Sequence, residues 1–337
     1  MDDLPAVSFV VITDKDPDSL TGCLETISCQ EYPERLVEIV VVMPEGCGEV
    51  ADVAVRFNAV VVRCGEDDAV ARVNLGLGKA TGEIVFAIGA DGGLSRTDWI
   101  RLMVRPFTER PDVAGVFTQI AEVPTDGPFA RYLCRTNGDP FGWFVYGDTA
   151  NPRYCLGAYG VAGSGEGYEI HRFPVRRPPL IPPDHGVGVR RSAVEAAGMG
   201  DDKAPPLVRL IEARHLVALV QGAGIHHKAA ESLPVFVREY RAWLRGSHDG
   251  WPVCGKQHPA HNSPWRRIRR VLFEIYGLTA VMPLLDGVWL SVFERSSFML
   301  WHGPVSISLS WLILFEKVGR WTGHQRTPEP GLDEDRR

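Results

Sequence analysis

The sequence lacks the cysteine spacing of a zinc site or a disulfide framework. Its seven cysteines are scattered, and no two follow the Cys-x-x-Cys pattern. An odd number of scattered cysteines is typical of reduced thiols in a cytosolic protein. The residues after Met1 also lack a basic segment followed by an apolar one, so we predict no secretory signal and a cytoplasmic location.

The chain has too little positive charge for a general nucleic-acid binder. Its formal net charge is -6 and its pI is near 5.9. Affinity for a phosphate backbone needs a basic surface, so we exclude nucleic acid as a partner. No glycine occurs between Thr13 and Pro17. A nucleotidyltransferase would carry a glycine-rich phosphate loop there, and this absence disfavours that alternative.

A clean membrane-spanning run of about 20 apolar residues is missing too. The apolar stretches 278–293 and 298–315 are interrupted by Asp286 and by Gly303-Pro304. Five of the nine tryptophans lie after residue 260, close to arginines at 266, 267, 269 and 270. Basic, tryptophan-rich amphipathic helices are typical of a membrane interface, which makes the membrane surface a predicted partner. The alternative is that these helices pack on the globular domain.

Alternating strand and helix patterns are present through the first half of the chain. The apolar runs Val7–Thr13 and Val37–Val42 indicate strands that are covered on both faces. A helix is predicted from Asp16 to Tyr32-Pro33. Further strands are predicted over 59–63, 84–88, 113–119 and 216–221, and further helices over 49–57, 69–80, 98–107 and 206–213. This alternation predicts an α/β fold with a mostly parallel sheet flanked by helices.

Residues 124–186 interrupt the alternation. They are rich in glycine, proline and aromatic residues. A long irregular insertion inside a compact domain is more often a binding or lid region than a linker. We therefore expect this segment to contribute to ligand binding.

Several short motifs occur in an order that resembles a known family. Cys23–Gln30 leads to Tyr32-Pro33, Ala71–Gly76 reads Ala-Arg-Val-Asn-Leu-Gly, and Ala80–Ile84 reads Ala-Thr-Gly-Glu-Ile. Asp98-Trp99 and the Arg-Arg pair at 190–191 follow. Over residues 7–246 the chain resembles the inverting family-2 glycosyltransferases of the GT-A fold.

The resemblance implies a domain organisation and an activity. A GT-A-like domain covers 1–246, with a nucleotide-binding half at 7–119 and an acceptor half at 120–246. A C-terminal amphipathic helical region covers 247–326, and 327–337 is expected to be a disordered tail. The implied reaction transfers a sugar from a nucleotide-sugar donor, with inversion, to a lipid-linked or envelope glycan acceptor. The expected location is the inner face of the cell membrane.

The implied metal site lies after the strand at 84–88. The family carries Asp-x-Asp there to hold Mg²⁺ or Mn²⁺, whereas this chain reads Gly89-Ala90-Asp91. The resemblance makes Asp91 the metal ligand, helped by the diphosphate, water and His226 or His227, of which His227 is preferred. A structural role for the two histidines is the alternative.

The resemblance also implies donor-binding residues: Thr13, Asp14, Glu45, Arg72, Asn74, Asp91, Arg238 and Arg241. Glu45 is included because Met43–Gly46 replaces the usual Asp-Asp-Gly-Ser after the second strand. Arg238 and Arg241 match an Arg-x-x-Arg element that would stabilise the leaving diphosphate. The alternative is that they are solvated charges on a helix.

The general base is predicted to be Asp202, with Asp201 as the alternative. A base is needed to deprotonate the acceptor hydroxyl. Both aspartates also fit plain helix N-capping positions. Because the metal and nucleotide motifs have lost acidic residues, a degenerate glycosyltransferase fold used as a binding or scaffold protein is the second hypothesis.

Overall fold

The computed structural model describes most of the chain. It describes residues 4–14, 16–65, 68–122, 125–136, 140–146, 159–175, 178–179, 181–198, 204–227, 229–246 and 264–321. The strands are β1 (Val7–Ile12), β2 (Val37–Met43), β3 (Val60–Arg63), β4 (Ile84–Gly89), β5 (Gly92–Leu94), β6 (Val113–Phe117), β7 (Val161–Gly165), β8 (Tyr168–His171), β9 (His185–Arg190), β10 (Leu216–Val220) and β11 (Ile225–His227).

Twelve α-helices connect and cover these strands in the described residues. They are α1 (Pro17–Ser28), α2 (Gly48–Arg56), α3 (Ala69–Leu77), α4 (Trp99–Glu109), α5 (Pro128–Thr136), α6 (Pro140–Tyr146), α7 (Arg191–Ala196), α8 (Pro206–Glu212), α9 (Leu233–Gly246), α10 (Pro264–Leu278), α11 (Val281–Phe293) and α12 (His302–Trp321). Short 3-10 turns at Glu34–Leu36 and Ser297–Trp301 precede β2 and α12.

Nine strands form one mixed sheet in the order β3-β2-β1-β4-β9-β6-β10-β8-β7. β3, β2, β1 and β4 are parallel, and β6 is parallel to β10. β9 runs antiparallel between β4 and β6. The amino end of β9 therefore lies at the same edge as the carboxyl ends of β1 and β4, which is the edge where such sheets bind ligands. The predicted α/β architecture is confirmed.

Helices cover both faces of the sheet, as the continuous apolar strands predict. One apolar core lies under α1, α2 and α4, and a second lies under α3 and α8. Trp99 is fully buried against Phe9 and Phe86, and its Nε1 donates to the carbonyl of Ala223 at 2.6 Å. This aromatic cluster packs α4 against the middle of β1 and β4 and joins it to the loop before β11.

The segment 124–186 was predicted to be irregular, but its described residues include regular elements. It contains α5, α6 and the hairpin β7–β8. Pro128 and Pro140 open the two helices, because proline is tolerated at the first helical position. The prolines and glycines of this segment hid the amphipathic pattern of its helices in the sequence. Aromatic residues of these helices, including Phe129 and Tyr132, are buried.

A third apolar core joins the C-terminal helices to the rest of the protein. Phe273 of α10, Leu290 of α11 and Leu309 of α12 pack in one cluster with residues of α5, α6 and α9. The alternative that these helices pack on the globular domain thus holds for their inner faces. Within the described residues, the 23-residue stretch Ser297–Gly319 is long and apolar enough to cross a membrane, with a mean hydropathy of 1.5.

Candidate active site

The carboxyl end of β1 brings together three of the predicted donor-binding residues. Thr13 is buried and its amide donates to the carbonyl of Val42 at 3.0 Å. Arg72 of α3 is buried, and its Nη1 lies 2.7 Å from Asp14 Oδ1. The Asp14 side chain is 85% exposed. Arg72 therefore holds a carboxylate at the open edge of the sheet.

The carboxyl end of β4 brings Asp91 and His227 together. β5 follows Asp91 and pairs with β11, so that Gly92 faces His227. His227 Nδ1 lies 3.5 Å from Asp91 Oδ2, and His226 lies next to it opposite Gly93. A two-stranded ribbon thus positions a histidine beside the predicted metal ligand, which is the arrangement that the sequence suggested for His227.

Asp184 and His185 were not predicted as site residues, yet they lie in the same place. The Gly89 amide donates to the Asp184 carbonyl at 2.8 Å, and Ile88 pairs with His185. The His185 and His227 rings meet edge to face with centroids 5.1 Å apart. The sequence signal for them is an Asp-His pair at the start of β9, with Asp184 directly before the strand and His185 as its first residue.

Gly89 leaves the space that these carboxylates occupy. A Cβ placed on Gly89 would lie 2.6 Å from Asp91 Oδ1 and 3.6 Å from Asp184 Oδ2. An aspartate at position 89 would therefore displace the Asp91 carboxylate. Asp184 supplies a carboxylate from the antiparallel strand on the side where the first residue of an Asp-x-Asp motif would project.

The electrostatics of this cluster follow from partial burial. Burial raises the pKa of Asp184, and nearby Asp14 raises it further, whereas His227 opposes the rise. Burial lowers the pKa of His185 to about 3, with His227 contributing. His185 is therefore neutral at pH 7. Burial also raises the pKa of the Cys23 thiol, whose Sγ lies 3.8 Å from the Gly89 carbonyl oxygen, to about 12.

Asn74 makes contacts within the protein. Its Nδ2 donates to the Ala204 carbonyl at 3.2 Å, and its Oδ1 accepts from Arg209 Nη2 at 2.6 Å. Arg209 Nη1 donates to the Gly198 carbonyl at 3.1 Å. These bonds connect α3 to α8 and to Ala204, which precedes α8. Its direct contact with a donor stays a prediction.

The remaining predicted donor-binding residues are dispersed. Glu45 is exposed in the turn after β2. Arg238 is exposed on α9. Arg241 Nε, one turn later, lies 3.1 Å from Glu316 Oε1 of α12, and Glu316 is buried. Arg241 thus connects α9 to the last helix, and a role toward the diphosphate stays a prediction.

The predicted base, Asp202, and its alternative, Asp201, lie outside the described residues. Gly198 and Ala204 flank this stretch. The Gly198 carbonyl accepts a hydrogen bond from Arg209, and the Ala204 carbonyl accepts one from Asn74. The predicted chemistry of the base is therefore untested.

The described residues contain no group of three or more His, Cys, Asp or Glu side chains that could hold a metal ion. The donor set nearest to one is Asp91, Asp184 and His227. Their fit to a divalent cation rests on two observations: the space above Gly89 faces two carboxylates, and His227 Nδ1 is buried with no hydrogen-bond partner among the described residues. The donor diphosphate and water would have to supply the remaining ligands.

Comparisons with known proteins point to one fold. No family model matches the sequence, and no curated protein matches it. The structure is similar to the mannosyltransferase PcManGT from Pyrobaculum calidifontis, solved with GDP-Man and Mn²⁺, at 15% identity and a TM-score of 0.50. The match covers 95% of this chain and 88% of that one.

Two further glycosyltransferase structures match more weakly. TarS 1-349 from S. aureus matches at 10% identity and a TM-score of 0.45, over 97% of this chain and 94% of that one. Glucosyl-3-phosphoglycerate synthase from Mycobacterium tuberculosis matches at 16% identity and a TM-score of 0.42, over 71% and 79%. Together with the mixed sheet and its strand order, the likeness to PcManGT shows that this chain has the GT-A glycosyltransferase fold.

Proposed function

We propose that this protein is a glycosyltransferase that moves a sugar from a nucleoside-diphosphate sugar to a glycan or lipid-linked acceptor, with inversion. One observation carries the proposal: Asp14 with Arg72, Asp91 with His227, and Asp184 converge at the ligand-binding edge of a GT-A sheet. The carboxyl ends of the strands are where open α/β sheets bind ligands, and the exposed Asp14 and Asp91 carboxylates are accessible there. A role in envelope glycan assembly and membership of family 2 belong to the same proposal.

Each of these residues has its own role in the proposed reaction. Arg72 orients Asp14 at the donor side of the sheet. Asp91, Asp184 and His227 would hold Mg²⁺ or Mn²⁺, which when bound would neutralise the charge of the leaving diphosphate. Asp202 would accept the proton of the acceptor hydroxyl. Arg238 would contribute positive charge to the donor side.

The first experiment is donor binding. Calorimetry with UDP-, GDP- and dTDP-sugars in the presence of Mn²⁺ or Mg²⁺ should give roughly micromolar to millimolar dissociation constants for one of them. The Asp91→Asn variant should bind that donor much more weakly. Asp112→Asn is the matched control, because Asp112 precedes β6 at the opposite edge of the sheet and pairs with Arg110. No binding by folded protein across the panel would contradict the proposal.

The second experiment addresses the base. Asp202→Asn should lower sugar transfer by orders of magnitude while donor binding is kept, because the base acts on the acceptor. Full activity in this variant would move the assignment to Asp201. Loss of donor binding as well would mean that Asp202 holds the donor instead.

A scaffold function is the second candidate, and Gly89 favours it. The Asp-x-Asp motif has lost one carboxylate, and no three-ligand cluster exists among the described residues. A scaffold would bind glycan without any nucleotide sugar. Donor binding that depends on Asp91 separates the two functions.

A further inference from the structure

Exposed apolar side chains are concentrated in the C-terminal helices. Of the 21 large hydrophobic residues exposed in the described part of the chain, 18 lie between Trp265 and Val318. The other three, Val55, Val60 and Val161, lie in the first half of the chain. Soluble monomers rarely expose contiguous apolar patches of this kind, and such patches mark sites of interaction.

The exposed residues form stripes at helical spacing. Ile268, Leu272 and Ile275 are exposed along α10, whereas Phe273 is fully buried. The same division continues on the next two helices. On α11, Leu285, Trp289 and Val292 are exposed while Leu290 is buried, and on α12, Trp311, Phe315 and Val318 are exposed while Leu309 is buried. Each helix thus has one face in the third core and one apolar face toward the outside. We call these outer faces the C-terminal apolar surface.

The charge of this region is opposite to that of the whole chain. Residues 264–321 contain seven arginines and lysines against four acidic residues, although the chain has a net charge of -6. The side chains of Glu294 and Glu316 are buried. Glu294 pairs with Arg135, and Glu316 pairs with Arg241. Lys317 pairs with Glu274, and Asp286 accepts a hydrogen bond from Tyr276 at 2.8 Å.

Positive charge is left at the outside as a result. Arg267, in the first turn of α10, and Arg295, directly after α11, are both exposed. An apolar surface bordered by arginines is complementary to an apolar phase with an anionic boundary. This combination also disfavours a second copy of the chain as the occupant, because two such surfaces would repel each other.

We infer that the C-terminal apolar surface docks on an anionic lipid bilayer, with the helices lying in the plane of the interface. Interfacial helices bury their apolar face at the boundary of head groups and acyl chains and present tryptophan and basic residues there. Trp265, Trp289 and Trp311 are all exposed on this surface. This inference does not rest on the proposed sugar transfer.

The helix geometry favours docking over crossing. α10 and α11 are long and apolar enough to cross a membrane only when they are taken together, and the chain bends by 91° between them. In the stretch Ser297–Gly319, 56% of the most apolar window is buried inside the protein. Because about half of this helix packs against the protein core, only its other face can contact lipid. This favours attachment to one side of the membrane.

The test is co-sedimentation of the full chain with vesicles, without donor. Protein should bind vesicles that contain phosphatidylglycerol more tightly than vesicles of phosphatidylcholine alone. Trp289→Glu combined with Val292→Glu should reduce binding by about tenfold or more, since each charge replaces apolar contact. Arg267→Gln should reduce binding to the anionic vesicles by about fivefold and leave binding to neutral vesicles unchanged.

The controls use exposed valines elsewhere on the protein. Val55→Glu combined with Val60→Glu makes the same kind of change outside the surface, and binding should not change. Circular dichroism melts should show that all variants are folded, because every substituted residue is exposed. Bound protein should be released by alkaline carbonate, as expected for a protein that does not cross the bilayer.

Three results would overturn the inference. Equal binding of the Glu variants and the wild type would show that the surface is not in contact with lipid. Retention after carbonate extraction would show that the helices cross the bilayer. Dimerisation in ultracentrifugation that is lost in the Trp289→Glu/Val292→Glu variant, with no vesicle binding by the wild type, would assign the surface to a second copy.

Discussion

Arg209 Nη2 lies 2.6 Å from Asn74 Oδ1, and this contact joins α8 to α3. Arg209 is buried, and the pair also binds the carbonyls of Gly198 and Ala204. Those two residues flank in sequence the stretch with the predicted base. The pair therefore connects α3 to both ends of the stretch that carries the predicted base.

Removing either partner of this pair should destabilise the protein. Arg209→Met and Asn74→Ala should each lower the free energy of unfolding by about 1–3 kcal/mol, because each leaves buried polar groups unsatisfied. The double variant should cost less than the sum of the two. Urea unfolding measures all three. Arg191→Met, at a half-exposed arginine on α7, is the control and should cost about 0.5 kcal/mol or less. Strict additivity would show that the pair is not coupled.

Two glycines in helices should respond in opposite ways to alanine. A Cβ on Gly76 of α3 would lie 2.3 Å from Val10 Cγ1, so Gly76→Ala should cost about 1–3 kcal/mol through overpacking. Gly22 of α1 has nothing within 4 Å of such a Cβ, and Gly22→Ala should stabilise the helix by up to about 1 kcal/mol. Thermal and urea unfolding of both variants check this. Equal effects at the two positions would contradict the packing described for α3.

Glu38 should make stability depend on pH. Burial raises the pKa of its carboxyl, but hydrogen bonds from Ser8 and Thr81 outweigh that and leave the pKa below its usual range. A carboxyl with a lowered folded-state pKa stabilises the protein above its unfolded-state pKa, and the contribution is lost as the pH falls through the folded-state pKa. Urea midpoints of the wild type should therefore fall more steeply than those of Glu38→Gln from neutral pH to about pH 3. Parallel pH profiles would remove this role from Glu38.

Asp184 and Gly89 should both matter for Mn²⁺ binding. Asp184→Asn removes one of the two carboxylates beside Gly89, and Gly89→Ala pushes the Asp91 carboxylate out of its position. Each should weaken Mn²⁺ binding, measured by electron paramagnetic resonance with nucleoside diphosphate present, by about tenfold or more. Asp112→Asn should bind Mn²⁺ as the wild type does. Wild-type affinity in Asp184→Asn would leave Asp91 as the lone protein carboxylate of the site.

The two arginines on α9 should separate into two roles. Arg241→Ala removes a half-exposed arginine that pairs with the buried Glu316 carboxylate and should lower the free energy of unfolding by about 1–3 kcal/mol. Arg238→Ala removes an exposed charge and should leave stability unchanged while it raises the KM for the donor. Unfolding curves and donor titrations of both variants decide the matter. An unchanged KM in Arg238→Ala would show that Arg238 is a solvated charge on the helix with no role in donor binding.

The fold was predictable because its signals are local. A strand such as Val7–Ile12 is visible as a continuous apolar run. The start of α1 is visible at Asp16, whose side chain accepts hydrogen bonds from the Asp18 and Ser19 amides. Both signals depend only on residues that are neighbours in the sequence. α5 and α6 were missed because their burial depends on the C-terminal helices, which lie far away in the sequence. The strand pattern could not show that distant contact.

The candidate site was predictable only in part for a similar reason. Asp91 could be predicted because it follows a buried strand, and His227 because it matches the histidine after the last strand of the family pattern; the structure places the two side by side. Asp184 was missed because it precedes its strand, in a stretch dense in proline. Its closeness to Asp91 comes from the antiparallel direction of β9 and the bond between the Gly89 amide and its carbonyl.

That reversed strand has a wider consequence for how this site is built. In a purely parallel sheet, only residues that follow strands reach the binding edge, so a lost carboxylate can be replaced only from similar positions. β9 delivers residues from before a strand to the same edge, nearly a hundred positions away from Gly89 in the sequence. A search for contiguous acidic motifs would score this chain as deficient while the three-dimensional site still holds two carboxylates.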